Sequence, residues 1–375
     1  MLTIKGNYPA GLLFATLAFT ACSKHSPSLS ITGISPNNGP DSTTVAITGA
    51  AFSSTIAENA VYFNGKQAVV TSANSSELIA IVPTLAGTGN VSVTVNGTTV
   101  TGPIFTYDTT YTPVVFASNL AGSQYITADD SGNLFVSSGL EGKIYEITPA
   151  GNVSTFINFA DSTGSPEGLA FDGNGNLVVA VNYPFSNSSF FYRVNPSGVP
   201  MIIGTDSATT GGIAVDQNGN IYAANFINKT IEKITPQGAN SDFATGIDFP
   251  SGVAVGSDGS VYAAATPNPL GPTSGVVYKF SSTGTGSAYA SGLSFGMADG
   301  IAFDKNNNLY ATCYNQGSSV QSVIEIYPNG TTKTLTTSIL IPVAVTLDNN
   351  GNLYVLNALS ASVSVYADVL KLIPQ

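Results

Sequence analysis

The 375-residue chain holds one histidine, His25, two cysteines, Cys22 and Cys313, and no tryptophan. With its only histidine near the amino terminus, no Ser-His-Asp or Cys-His nucleophile can be assembled inside a folded domain. Histidine-based zinc or iron sites are excluded for the same reason. Two cysteines allow at most one disulfide, and Cys313, in the alternating run LYATCYN, is expected to be a small buried apolar residue. Positive charge is also scarce. Eleven Lys+Arg against 22 Asp+Glu leave a net charge of −11 and a pI near 4.3. The eleven are scattered, so no basic face exists to bind a phosphate backbone, and nucleic acid is excluded as a partner. Beyond residue 22 no apolar run is long enough to span a bilayer as a helix, and no helical periodicity stands out.

What the second half does contain is a phrase repeated six times, starting at Ile126, Leu169, Ile213, Val253, Ile301 and Val345. Typical copies are LAFDGNGNLVVAV and IAVDQNGNIYAAN: an apolar β run, an Asp/Asn/Gly turn, then a second apolar β run. The copies begin about 40 to 48 residues apart, the period of one four-stranded propeller blade. Third-strand segments follow each copy (KIYEITP, FFYRVNP, TIEKITP, VVYKFSS, VIEIYPNG, VSVYAD), and outer-strand segments follow the first five. The sixth lacks one. The segment PVVFASN at 113–119, ahead of the first phrase, is expected to close the ring as the missing outer strand.

The Asp-x-Asn-x-Asn spacing within the phrases superficially resembles the start of a calcium loop. It lacks the sixth-position glycine and the distal glutamate. The expectation is therefore a structural turn, with the Asp accepting backbone N–H groups and Gly or Asn taking positive φ.

Residues 1–21 have the form of a signal peptide, with Lys5 before the apolar run AGLLFATLAFTA. The run ends at FTAC, which resembles a bacterial lipobox and implies lipidation of Cys22, with 22–28 as a tether. Residues 29–107 carry short strands and two Asn-Gly hairpin signals, at Asn64 and Asn96. The ordered motifs SPNNGP, TVAITGAAF, VYFNG, IVP, GTGNVSVTVNG and GPIFTY resemble the IPT/TIG family, which implies an immunoglobulin-like sandwich acting as spacer or binding module. Residues 108–112 are read as linker and 113–375 as a six-bladed β-propeller resembling the NHL-repeat family. The whole chain is thus expected to be all-β, and it resembles IPT/TIG plus NHL-repeat lipoproteins of Bacteroidota-type bacteria. That resemblance implies a place in the cell envelope, anchored to the outer membrane.

Aligning the phrases puts Gln124, Glu167, Gly211, Ser251, Asp299 and Val343 at equivalent positions just ahead of the innermost strands, at the mouth of the central channel. The stretch MADGIAFDKNNNLYATCYNQG around Asp299 resembles the regucalcin and gluconolactonase family, in which the matching aspartate binds a divalent metal. Gln124, Gly211 and Ser251 stand where that family has its other ligands, so the resemblance leaves Asp299 as the one matching ligand. No cofactor is assigned on this reading. The same face receives Tyr183, Phe185, Phe226 and Tyr314, side chains suited to a carbohydrate or protein surface. The function expected is ligand binding on this face, with Gln124, Glu167, Ser251 and Asp299 as central polar groups. A metal-dependent lactonase-like hydrolase and a structural or adhesive envelope protein are the alternatives.

Overall fold

A computed structural model describes residues 27–159, 164–183, 185–266, 275–293, 300–314, 321–359 and 366–375. The signal segment, Cys22 and Asp299 fall outside these residues. The chain divides into two compact units, one up to Asp108 and one from Thr109. Among the described residues there is no α-helix, only a short 3-10 turn at Ile56–Glu58. Among these residues no helix is long and apolar enough to cross a membrane.

The first unit is a two-sheet sandwich. One sheet orders Ser30–Ser35, Thr44–Ala50, Glu77–Ile81 and Val69–Ala73, and the other is built on Thr98–Tyr107, Gly89–Val95 and Asn59–Phe63. Alternation puts Val45, Ile47, Val61, Phe63, Val91, Val93 and Phe105 in the core between the sheets. Phe63 and Phe105 meet edge to face at 5.1 Å. Asn64-Gly65 and Asn96-Gly97 all have positive φ, as two-residue turns matched to strand twist require.

The second unit is a six-bladed propeller of six four-stranded antiparallel sheets. Its inner strands, in order, are Ser123–Ala128, Ser165–Phe171, Ile213–Val215, Pro250–Val255, Ile301–Phe303 and Pro342–Leu347. Each packs against the next, and the sixth returns to the first. The second strands, such as Leu134–Ser138 and Ile221–Asn225, are buried on both faces, which is why they read as largely apolar runs without alternation.

Blade six is closed by the early strand Tyr111–Ala121, which pairs antiparallel with Tyr366–Pro374. This strand takes in Tyr111 and Thr112, which spacing alone leaves in the linker. The third strand of blade six runs from Tyr366 to Pro374, well past the end of the VSVYAD segment at Asp368.

The Asp turns behave as turn chemistry demands. Asp172 Oδ1 accepts the N–H groups of Asn174 and Asn176, both at 2.9 Å, and Asn176 Nδ2 donates to Oδ2 at 3.0 Å. Asp216, Asp304 and Asp348 repeat the pattern. The fourth turn residue takes positive φ, Gly175 in blade two and Asn307 in blade five. The carboxylate oxygens are therefore spent on their own turns.

Ring closure depends on Leu120, fully buried between blades six and one. Leu120→Ala is expected to cost about 2–5 kcal/mol, lowering the propeller's melting temperature by roughly 5–15 °C. Val115→Ala, at an exposed position of the same strand, should stay within about 0.5 kcal/mol of wild type. Equal melting of the two variants would show that the strand does not close the ring.

Candidate functional site

The channel mouth is shaped by one irregularity repeated around the ring. In blade one, Ser123 pairs with Ser138 and Ile126 with Val136, leaving Gln124 and Tyr125 together opposite Ser137. Glu167 and Gly168 likewise oppose Ala180, and Ser251 and Gly252 oppose Ala264. In blade three, Ala224 N–H donates to Gly212 O and Ala224 O accepts from Gly211 N–H. Blade six has its extra residue between Pro342 and Ala344. Each is a β-bulge, which bends the strand and re-aims a side chain.

The residue ahead of the regular pairing is glycine in blades two to five, and at Gly168, Gly212 and Gly300 the next blade comes too close for anything larger. A Cβ on Gly168 would lie 2.5 Å from Gly211 O, one on Gly212 2.8 Å from Ser251 O, and one on Gly300 2.7 Å from Ala344 Cα. Backbone bonds join the bulges of neighbouring blades, Gly212 N–H to Ser251 O at 2.8 Å and Gly300 N–H to Val343 O at 3.1 Å.

Blade one breaks the rule with Tyr125. Its hydroxyl comes within 3.5 Å of the Ser251 carbonyl oxygen in blade four, straight across the ring. A Cβ on Gly211 would meet the Tyr125 hydroxyl at 3.0 Å, and one on Gly212 the ring at 3.2 Å. Tyr125 thus crosses the channel, and two side-chain-free positions make room for it. Sequence reasoning missed this residue. The signal available was a lone aromatic in the column otherwise filled by Gly168, Gly212, Gly252, Gly300 and Ala344.

Beside Tyr125 sits the polar centre. Glu167 Oε1 accepts from Gln124 Nε2 at 3.3 Å and from Ser165 Oγ at 3.1 Å. Gly139 leaves the space for this meeting, since a Cβ there would lie 2.4 Å from Ser165 Oγ. Burial pushes the Glu167 carboxyl up to about 8, with the Ser165 bond pulling the other way. The side chain keeps some accessible surface, but the water it meets is confined among protein atoms, so desolvation wins. Both bonds go to Oε1, which leaves Oε2 for the proton. At neutral pH the site therefore offers an acid O–H, an amide and a hydroxyl.

The other expected site residues separate. Ser251 is buried, with Oγ 3.5 Å from the Ala264 carbonyl of its own blade. Its backbone oxygen accepts from Gly212 N–H and lies 3.5 Å from the Tyr125 hydroxyl. Tyr183 is committed to packing, its hydroxyl 3.1 Å from that of Tyr192 and its ring edge to face with Phe190. Phe185 is 90% exposed and Phe226 41%, while Tyr314 is half-buried. Leu140, Ile227, Phe249, Leu340 and Leu359 are also exposed, and all belong to loops at this end. The Asp turns at the other end carry no exposed large apolar side chain among the described residues.

Among the described residues the donors expected for a metal do not gather. Gly211 has no side chain, and no group of three His, Cys, Asp or Glu comes together among them.

Residues 29–113 match the family model of the IPT/TIG domain. No curated protein sequence matches the chain. Among solved structures, an auxiliary nutrient binding protein from Bacteroides thetaiotaomicron aligns over 93% of this chain and 98% of its own, at 12% identity and a TM-score of 0.54. A gluconolactonase from Xanthomonas campestris aligns over 70% and 90%, at 14% identity and 0.54. A PQQ-bound aldose sugar dehydrogenase from Streptomyces coelicolor aligns over 72% and 99%, at 12% identity and 0.56. At these identities the likeness is one of fold.

Glu167 makes stability depend on pH. Between about 4.5 and about 8 the unfolded chain's glutamate is ionised while the folded one stays protonated. Folded stability from this group is therefore full below that window and lost as pH rises through it. Glu167→Gln is neutral in both states, so its melting temperature should gain on wild type across the window and level off above it. Asp206 and Glu232, also raised by burial, contribute equally to both proteins. A difference that does not change with pH would refute the neutral carboxyl.

Gly168→Ala is expected to destabilise by about 1–3 kcal/mol, because backbone atoms of blade three cannot yield. Gly173→Ala, whose Cβ meets nothing within 4 Å, is the control. Comparable melting of the two would remove the close approach as the reason for glycine.

Proposed function

We propose that this chain is a lipid-anchored ligand-binding protein of a bacterial cell envelope. Cys22 carries the lipid, the IPT/TIG domain serves as spacer, and the propeller takes a glycan or protein ligand at its channel mouth. The observation that carries this reading is the Glu167–Gln124–Ser165 cluster beside Tyr125, on the end of the propeller whose loops expose apolar side chains. A protonated carboxyl with an amide and a hydroxyl can both donate to and accept from hydroxyl groups, and it makes a poor counter-ion for a cation. Exposed rings such as Phe185 and Phe226 add the flat apolar surface on which a sugar face packs. That chemistry favours a hydroxyl-rich glycan. Apolar loops around a polar centre are also the usual anatomy of a small-ligand site.

Screening the protein on an array of bacterial envelope glycans supplies the ligand. Phe226→Ala and Phe185→Ala should then weaken binding, an anchor that becomes desolvated losing about 2 kcal/mol. Glu167→Gln should bind like wild type near neutral pH and hold on to ligand above pH 8, where wild type ionises. Normal binding by Phe185→Ala, Phe226→Ala and Glu167→Ala, together with loss on changing Asn352 at the opposite end, would overturn the assignment. Fatty-acid labelling that persists in Cys22→Ala would remove the anchor.

A further inference from the structure

At one register position the six blades provide their own comparison. The second residue of the second strand stands opposite a residue of the third: Tyr222 opposite Lys233, Tyr262 opposite Lys279 and Tyr354 opposite Lys371. In these three blades the lysine ammonium lies over the tyrosine ring, 5.5, 5.3 and 5.5 Å from its centroid. Blade two has Val178 opposite Arg193, whose Nε lies 3.0 Å from Asp172 Oδ2. Blade five has Tyr310 opposite Glu325, and Lys333 on the outer strand stands across from that glutamate.

Blade one alone has no cation of its own here. Phe135 stands opposite Glu146, and the outer-strand residue across from Glu146 is Ser154. Among the described residues nothing pairs with the Glu146 carboxylate. Its place opens into a cleft of about 560 Å³ between blades one and two, on the face of the Asp turns. The floor is aromatic: Phe156 and Phe171 meet Phe135 edge to face at 5.0 and 5.2 Å. The three other carboxylates at the cleft are already engaged, Asp129 by Ser131 and Asn133, Asp130 by Asn349 and Asp172 by Arg193.

We infer that this cleft is a second binding site, for the ammonium group of a lysine side chain presented by a partner protein. In blades three, four and six the chain's own lysine satisfies the same aromatic ring. In blade one a phenyl ring stands at the tyrosine position and the Glu146 carboxylate stands where those blades have lysine, so the ring has no cation from its own blade. A cation over an aromatic face beside a carboxylate is favourable once desolvated, and the cleft is large enough for a short stretch of chain around the lysine. The net charge of −11 would draw a basic partner in. The six turns are alike, but the surfaces beside them are not, so this face is more than scaffold. The site lies at the opposite end of the propeller from Glu167 and stands independently of the function proposed there.

The test is ligand-observed NMR of the whole protein with the capped peptide Gly-Lys-Gly at low-millimolar concentration, against the same peptide with norleucine in place of lysine. Wild type should bind the lysine peptide and ignore the norleucine one. Glu146→Lys rebuilds the arrangement of blades three, four and six, so it should fill the cleft from within and weaken binding about tenfold or more. Its melting temperature should not fall below that of wild type. If that variant does not fold, Glu146→Gln decides, with a smaller loss expected. Absent binding to wild type, equal binding of the norleucine peptide, or undiminished binding by the folded Glu146 variant would each overturn the assignment.

Discussion

The propeller depends on how closely six inner strands can approach one axis. Gly168, Gly212 and Gly300 sit where the backbone of the next blade leaves no room for a Cβ, and the bulges of neighbouring blades share backbone hydrogen bonds. This contact sets the width of the channel. It also explains the bulges, because a strand in regular register would not offer the same extra residue at its mouth. Tyr125 crosses the channel only because Gly211 and Gly212 face it. The raised pKa of Glu167 follows in turn, since a carboxyl confined this tightly has little water to stabilise its charge.

The two ends of the propeller divide the work through different chemistry. At the turn end, Asp and Asn side chains satisfy backbone N–H groups locally, so the loops can be short and nearly uniform. At the channel mouth the connections vary in length and sequence, and they carry exposed apolar side chains such as Phe185, Phe226 and Phe249, which the Asp turns lack. Specific recognition generally resides in such variable loops on a rigid frame. The cleft between blades one and two qualifies that division. Its distinctness comes from Phe135 and Glu146 in the sheet, and the turns have no part in it.

Composition had already narrowed the chemistry to carboxylates, amides, hydroxyls and aromatic rings. Within that set the fold fixes which groups are engaged elsewhere. Tyr183 belongs to the packing of blade two and Ser251 offers its carbonyl to Gly212 and Tyr125. Gln124 and Glu167, 43 positions apart, share one hydrogen bond. Asp299, matched by motif, lies outside the described residues.

Blade number, strand alternation, the Asn-Gly hairpins and the Asp turns were legible in the chain because each rests on interactions within a few residues, where periodicity and turn chemistry act directly. The column of Gln124, Glu167, Gly211, Ser251 and Val343 could also be aligned, since repeats carry their own register. What the residues did not disclose were properties created when distant segments meet. Tyr125 reads as an ordinary strand residue until blade four comes within reach of its hydroxyl. Glu167 is an ordinary glutamate until blades one and two bury it, and Glu146 is a surface acid until the sister blades show lysine at its register position. Desolvation and close approach are set by the whole ring, and only the assembled ring decided them.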